Sequence, residues 1–274
     1  MFVSQIRMSL TAVFANPLFA NLVEALKDLV GEVTLVCEPD GMSLNSMDSA
    51  HVALVCMKLP KTFFVSYSCV QPMVMGLSLV TLSKIAKSSA FHTKAGVVRL
   101  TSSKGDDVCL IEAFETENMT TSQKNVFELC LMDIDDEGLT CPQYDRGVRV
   151  TIPHDQFAAI VTDLKEMGDS INIRIEEGGE ISFNTRSEVG SATIKRVFVC
   201  EGNDSIEQSF ALKYFSMFAK AKSMSREVVM SLTKEFPIEL RFGLPGEGEL
   251  CFYLAPKVMD DQVEQPNKKQ KMES

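Results

Sequence analysis

The chain has 274 residues, 45% apolar and 23% charged, which permits a buried core and excludes a disordered, collagenous or disulfide-scaffold description of its bulk. Lys plus Arg less Asp plus Glu is 27 − 37 = −10, so there is no general basic coat for nucleic acid, and contact with a polyanion must come from a local patch. No apolar run reaches the roughly 18 residues of a bilayer span, and eight cysteines without a CxxC pair point to reduced thiols in a reducing compartment, with no metal knuckle.

Leu10 to Phe14, followed by Leu18, Phe19 and Ala20, has the apolarity of a signal peptide. Asn16-Pro17 interrupts it and charges follow, so secretion is not expected. Residues 16–30 place Leu18, Phe19, Leu22, Val23, Leu26, Leu29 and Val30 at helical spacing, with Asn16 as N-cap and Pro17 in the first helical position. Strand-like runs follow at 33–37, 50–56 and 62–67, separated by turn residues such as Asp40-Gly41. A second amphipathic helix is predicted at 79–90, with Leu79, Leu82, Ile85 and Ala86 inward and Lys84 and Lys87 on the polar side. Strand-like runs at 96–101, 108–114 and 125–132 lead to an acidic, weakly patterned stretch at 133–145 that has the composition of a linker.

Beyond the linker the series restarts, with a strand at 148–152 and a helix opened by Pro153 that turns Phe157, Ile160, Val161, Leu164 and Met167 inward. Leu26-Lys27-Asp28-Leu29 corresponds to Leu164-Lys165-Glu166-Met167 at an offset of 165 − 27 = 138. Leu79 to Lys87 overlies Leu212 to Lys220 at 220 − 87 = 133. Two helix pairs at nearly one spacing indicate a duplication. The expected class is α+β: two related lobes, 1–132 and 148–258, each of antiparallel strands backed by two helices, joined through 133–147 and followed by a disordered polar tail at 259–274.

Chemistry-bearing motifs are sparse. His51, His92 and His154 form no HExxH, and the glycines at 243, 246 and 248 lie in GLPGEGE, whose acids would repel phosphate. Asp133, Asp135, Asp136 and Glu137 followed by Gly138 resemble the start of a calcium loop, but its twelfth position is Tyr144 instead of a bidentate Glu. No catalytic residue, cofactor or metal is expected. Lys84 and Lys87 are three apart and Lys213 and Lys220 seven apart, so each pair shares one helical face. With Lys27 and Lys165 they would form a basic stripe if the helices lie side by side; lysines on a merely solvated face would give the same spacing.

Letters add to pattern. Ser46-Met47-Asp48-Ser49-Ala50-His51-Val52, Tyr67 with Cys69, Met75-Gly76-Leu77, Ser83-Lys84-Ile85, Leu131-Met132-Asp133, Phe210-Ala211-Leu212-Lys213-Tyr214 and Tyr253-Leu254-Ala255-Pro256-Lys257 closely resemble the sliding clamps of the proliferating cell nuclear antigen family, from about Met8 to Asp261. The resemblance implies three chains joined head to tail into a ring around duplex DNA, with helices inside, continuous sheet outside, and the acidic stretch as an interdomain connecting loop. It implies a non-enzymatic processivity factor and docking platform for DNA polymerase, a clamp loader and other replication and repair proteins, with no membrane partner, and nuclear if the source is eukaryotic. Lys27, Lys84, Lys87 and Lys220 match its DNA-facing positions. Its groove for client peptides corresponds to Met47, His51, Leu139, Cys141, Pro142, Pro237, Tyr253, Leu254, Ala255 and Pro256, with backbone groups near Ala255 receiving the peptide's polar lead. Its subunit joints correspond to edge strands at 123–130 and 189–198.

The chain departs from that pattern in several places. Ala20, Asn21, Ala159 and Thr162 stand where basic residues are usual, and Glu176 and Glu177 where a regulatory lysine is usual. Residues 1–7 and the tail, in which Lys268, Lys269 and Lys271 weakly resemble a nuclear import signal, extend beyond it. Alternatives are a checkpoint-type, divergent or viral clamp paralogue and, in a different class, a metal-dependent enzyme using the acids at 133–137.

Overall fold

The computed structural model describes residues 10–91, 96–115, 124–135, 138–144, 147–176, 179–202 and 204–257. His92, Asp136, Glu137, Glu177, the segment 1–9 and the tail lie outside them.

In chain order the first half consists of β1 (Leu10–Ala15), α1 (Asn16–Leu26), β2 (Glu32–Glu38), β3 (Gly41–Met47), β4 (Ala53–Pro60), β5 (Ser66–Cys69), β6 (Met73–Ser78), α2 (Leu79–Ala86), β7 (Val97–Ser102), β8 (Val108–Phe114) and β9 (Lys124–Cys130). The second half consists of β10 (Val148–Pro153), α3 (His154–Lys165), β11 (Ser170–Ile175), β12 (Glu180–Ser187), β13 (Gly190–Val197), β14 (Val199–Glu201), β15 (Ile206–Ala211), α4 (Leu212–Phe218), β16 (Glu227–Leu232), β17 (Ile238–Leu244) and β18 (Gly248–Leu254). Among the described residues the two halves have the same order of elements. Their first helices start 154 − 16 = 138 apart and their second helices 212 − 79 = 133 apart, the two offsets read from the letters.

Several segments differ from the pattern reading for identifiable reasons. The apolar run at Leu10 is a strand, paired with β5 and β7, that buries Leu10, Ala12 and Phe14. Asn16 does not cap α1: Ala15 holds the N-cap position without a side-chain bond, while Asn16 is buried and its Nδ2 donates to Ala90 O at 2.7 Å. The helix ends at Leu26, although Leu29 and Val30 remain in the core. The run 62–67 is not one strand, because Phe63 and Phe64 turn inward onto Phe14 and the strand begins only at Ser66. The segment Gly41–Met47 has poor strand propensity and forms β3 because it lies between β2 and β4.

All strand pairs are antiparallel. The sheet orders are β5-β1-β7-β8-β9, β14-β10-β16-β17-β18-β4-β3-β2-β6 and β13-β12-β11-β15. The duplication explains this uneven division. Each half makes one five-stranded and one four-stranded sheet, and the nine-stranded sheet is the five of the second half joined to the four of the first through β18 and β4. One cross-strand row over this joint, Val55, Phe252, Leu240, Met230 and Val150, is fully buried, so a single core runs through both halves. Phe218 of α4 stacks on Phe252 at 4.4 Å. α1 packs against α2 on one side and the turn Ala219–Ser223 on the other, and α3 packs against α4, which sets the four helices side by side.

Candidate functional site

The helical layer carries the first set of predicted residues. Lys84, Lys87, Lys165 and Lys213 are exposed, and among the described residues no carboxylate lies within ion-pair distance of them. Lys213 Nζ sits 4.7 Å from the centre of the Tyr214 ring. Lys27 and Lys220 are held differently. Lys27 Nζ binds Glu24 at 2.7 Å, and that hydrogen bond holds its ammonium above the usual lysine range. Lys220 pairs with Asp28 and lies 3.8 Å from Glu24, tying the turn after α4 to the end of α1. The stripe is therefore uneven. No acid occurs in α2 or α4, whereas α1 and the residue beyond its cap carry Glu24 and Asp28, and α3 carries Asp155 and Asp163. A phosphate reaching Lys27 or Lys220 must displace a carboxylate. The Lys220–Asp28 pair is exposed, and such pairs contribute only about 0–1 kcal/mol, so that exchange is cheap.

The second set lies on the opposite side of the nine-stranded sheet. Strand alternation gives that face two cross-strand rows, Asn45–Cys56–Cys251–Arg241 and Met47–Leu54–Tyr253–Glu239. Leu54, Cys56, Cys251 and Tyr253 form an apolar cluster separate from the main core, with Met47 and Leu139 packed against it. The described parts of the connecting segment, 131–135 and 138–144, are fastened to this sheet at three places. Met132 N donates to Gly76 O at 2.9 Å, and Gly76 leaves no room for a Cβ, which would overlap the Met132 carbonyl oxygen. Asn45 Nδ2 donates to Leu139 O at 2.8 Å. Tyr144 OH donates to Pro237 O at 2.7 Å while its ring stacks on the exposed Phe236 at 4.8 Å.

The rim is built by Asp48. Its Oδ1 accepts from Val52 N and Ala53 N, both at 2.8 Å, which closes the turn that presents His51 exposed at φ 53°. Its Oδ2 accepts from Tyr214 OH of α4 at 2.6 Å. Burial pushes the Asp48 carboxyl up, but the bonds from Tyr214, Ala53, Val52 and Ala50 outweigh it and the net shift is downward. At the end of the second row Glu239 is 1% exposed and accepts from Tyr253 OH at 3.1 Å and Arg241 Nη2 at 3.0 Å. Burial and the Glu239 charge raise Tyr253, which stays a neutral donor.

Met47, Leu139 and Tyr253 are thus brought together, with His51, Cys141, Pro142, Pro237, Ala255 and Pro256 at least partly exposed. Leu254 is a correction: alternation turns its side chain into the main core at 0% exposure, away from this face. The Ala255 N–H is also engaged, donating to Val52 O at 3.0 Å. Asn45, Asp48, Leu54, Tyr144, Tyr214 and Phe236 were not singled out by pattern; Tyr144, an aromatic within an acidic stretch, was the available signal. Asp133 and Asp135 stand exposed, and among the described residues no three metal-capable side chains converge.

Comparison with known proteins covers nearly all of this architecture. The family model "Proliferating cell nuclear antigen, N-terminal domain" matches residues 10–138, and "Proliferating cell nuclear antigen, C-terminal domain" matches 140–257. The proliferating cell nuclear antigen of Chaetomium thermophilum is 32% identical over 255 residues, spanning 88% of this chain and 95% of that protein. The crystal structure of the antigen from Entamoeba histolytica superposes with a TM-score of 0.83 at 29% identity, covering 92% of this chain and all of that one.

Proposed function

The chain belongs to the proliferating cell nuclear antigen family and is a DNA sliding clamp and processivity factor; from that premise we propose that three copies join head to tail through β9 and β13 into a ring that encircles duplex DNA. One observation carries this reading. Within the chain the halves are joined by β18 and β4; the duplicate of β18 is β9, and the duplicate of β4 is β13. Those duplicates are the outer edges of the two smaller sheets. Pairing β9 of one copy with β13 of the next repeats between chains a joint that already exists within the chain. It is a heterologous contact, which closes into a ring when its rotation permits, and it removes two exposed edges.

The electrostatics fit encirclement better than adhesion. Three copies carry 3 × −10 = −30, which repels DNA from the outside, while Lys84, Lys87, Lys165 and Lys213 face outward from the helical layer with Lys27 and Lys220 exchangeable behind them. Non-specific phosphate contacts give dissociation constants of roughly 10⁻⁴ to 10⁻⁶ M, too weak to retain a polymerase over a long run. Closure therefore holds the DNA, and weak sequence-blind contacts let the ring move along it.

The apolar floor of Leu54 and Tyr253, bordered by Met47, Leu139 and Pro237, is the groove for short client peptides from DNA polymerase, the clamp loader and repair proteins. An aliphatic and an aromatic anchor on one helical turn fit it. The family is non-catalytic in general, and no enzymatic activity is proposed for this chain. Relatives in eukaryotes are nuclear, and the same compartment is proposed here.

Mass measurement in solution tests the assembly. The expected particle has about three times the chain's 30.3 kDa, without DNA or other proteins. A persistent 30.3 kDa species at micromolar concentration contradicts it and favours a clamp subunit that needs different partners.

A further inference from the structure

A thiol of the connecting segment lies over the sheet at a place where two more thiols are cross-strand neighbours. Cys56 is directly opposite Asn45 on one side and Cys251 on the other. Cys141 is exposed above this row, and its thiol donates to Asn45 Oδ1 at 3.6 Å, which sets it over the side chain directly opposite Cys56. The segment is held there independently by Asn45, whose amide binds Leu139 O two residues upstream. Thiols 85 and 110 residues away from Cys141 in sequence (141 − 56 and 251 − 141) are thus gathered in the floor described above.

We propose that Cys141 and Cys56 are a peroxide-sensitive dithiol, and that its oxidation to a disulfide fixes the connecting segment to β4 and closes the groove beneath Leu139. The two thiols are unequal. The Cys56 S–H donates to Cys141 and favours its thiolate, with Arg241 adding to this and with burial, Glu239 and Glu249 opposing it; the net shift of Cys141 is downward. Cys56 moves strongly upward, by the same hydrogen bond and by burial. Burial pushes Cys251 up to about 12. An exposed thiol whose pKa is lowered, beside a buried partner whose pKa is raised, is the arrangement of an oxidisable cysteine and its resolving thiol.

The steps balance with hydrogen peroxide as oxidant. The Cys141 thiolate attacks one peroxide oxygen, forming an S–O bond as the O–O bond breaks, and the departing hydroxide takes up a proton to become water. The Cys56 sulfur then attacks the sulfenic sulfur, forming the S–S bond, and the released hydroxide leaves as water with the Cys56 proton. Two thiols lose two electrons and one peroxide becomes two waters. Bond formation brings the sulfurs to about 2.05 Å, closer than a thiol hydrogen bond allows, which pulls residue 141 and the neighbouring Leu139 toward Leu54 and Tyr253. The dithiol rests on the placement of Cys141 over Asn45 and Cys56, and its effect on client peptides rests on the groove reading.

The full chain is treated with hydrogen peroxide under native conditions, alkylated, digested and analysed by mass spectrometry. The expected product is a peptide linked through Cys141 and Cys56, reversed by dithiothreitol, absent in Cys141→Ser, and replaced in Cys56→Ser by Cys141 sulfenic or sulfinic acid. Amide exchange over 138–144 should slow on oxidation in the wild type only. A synthetic peptide with one aliphatic and one aromatic anchor on a helical turn should bind the oxidised chain roughly tenfold more weakly than the reduced chain, with affinity restored by dithiothreitol and unaffected by peroxide in Cys141→Ser. No Cys141–Cys56 linkage, or a linkage to Cys251 or Cys130 instead, overturns the dithiol. Linkage with unchanged amide exchange and peptide affinity overturns the closure. Failure of the reduced chain to bind the peptide at all refutes the groove reading while the linked peptide still establishes the dithiol.

Discussion

Asp48 is the residue through which the fold reaches both surfaces: it closes the turn bearing His51 and accepts from Tyr214 on the helical layer. Tyr214→Phe removes a hydrogen bond to a buried carboxylate and should cost about 1.5–3 kcal/mol at neutral pH. Because the folded pKa of Asp48 is depressed, its contribution is present above the unfolded carboxylate value and lost as pH falls through the folded one. The stability gap between wild type and Tyr214→Phe should therefore narrow in acid below about pH 4; urea titrations across pH measure it, and a pH-independent gap refutes the assignment. Lys84→Glu with Lys87→Glu should weaken DNA binding and lower the slope of log affinity against log salt by about 0.9 for each phosphate no longer neutralised, with an unchanged melting temperature. The motif containing Met47, Asp48 and His51 was legible from its letters. The role of Asp48 was not, since its partner is 166 residues distant.

The helices, the strand at β8 and the restart at β10 were readable from periodicity, because each has one face against the core and one in solvent. Strands such as β3, with Gly, Ser and Asn, form because neighbours supply their hydrogen bonds, a tertiary cause that no local pattern records. The same limit applied to the groove: Leu54, Cys56, Cys251 and Tyr253 alternate with core residues inside continuous apolar runs, and only the register of β4 with β18 shows that they share the outer face. At the joint itself, Phe252→Ala should cost roughly 3–5 kcal/mol, since the ring is fully buried against Phe218 and Phe242. The proposed edges behave oppositely. Val126 on β9 and Val197 on β13 are 48% and 76% exposed, so Val126→Asp or Val197→Asp should leave the isolated chain folded while shifting the assembly toward single chains in sedimentation. An assembly indifferent to both changes removes β9 and β13 as the joint.

At the scale of the whole molecule, the proposed ring would let a protein of net negative charge work on a polyanion by turning its exposed helical lysines toward it. Duplication makes this possible, since one helix pair repeated around a ring yields a continuous inner layer and one strand pairing repeated yields a continuous outer sheet. The duplication was legible as two matching offsets, whereas the pairing of Lys220 with Asp28 was not, because it needs the turn after α4 set beside α1. The distinction that matters is between holding DNA by charge and holding it by closure. The clamp is assembled by a loader onto nicked circular duplex, challenged with concentrated salt, and then released or retained when the circle is cut once by a restriction enzyme. The account predicts salt-resistant retention on the circle and rapid loss from the ends after cutting; loss in salt from the intact circle, or equal retention before and after cutting, contradicts it.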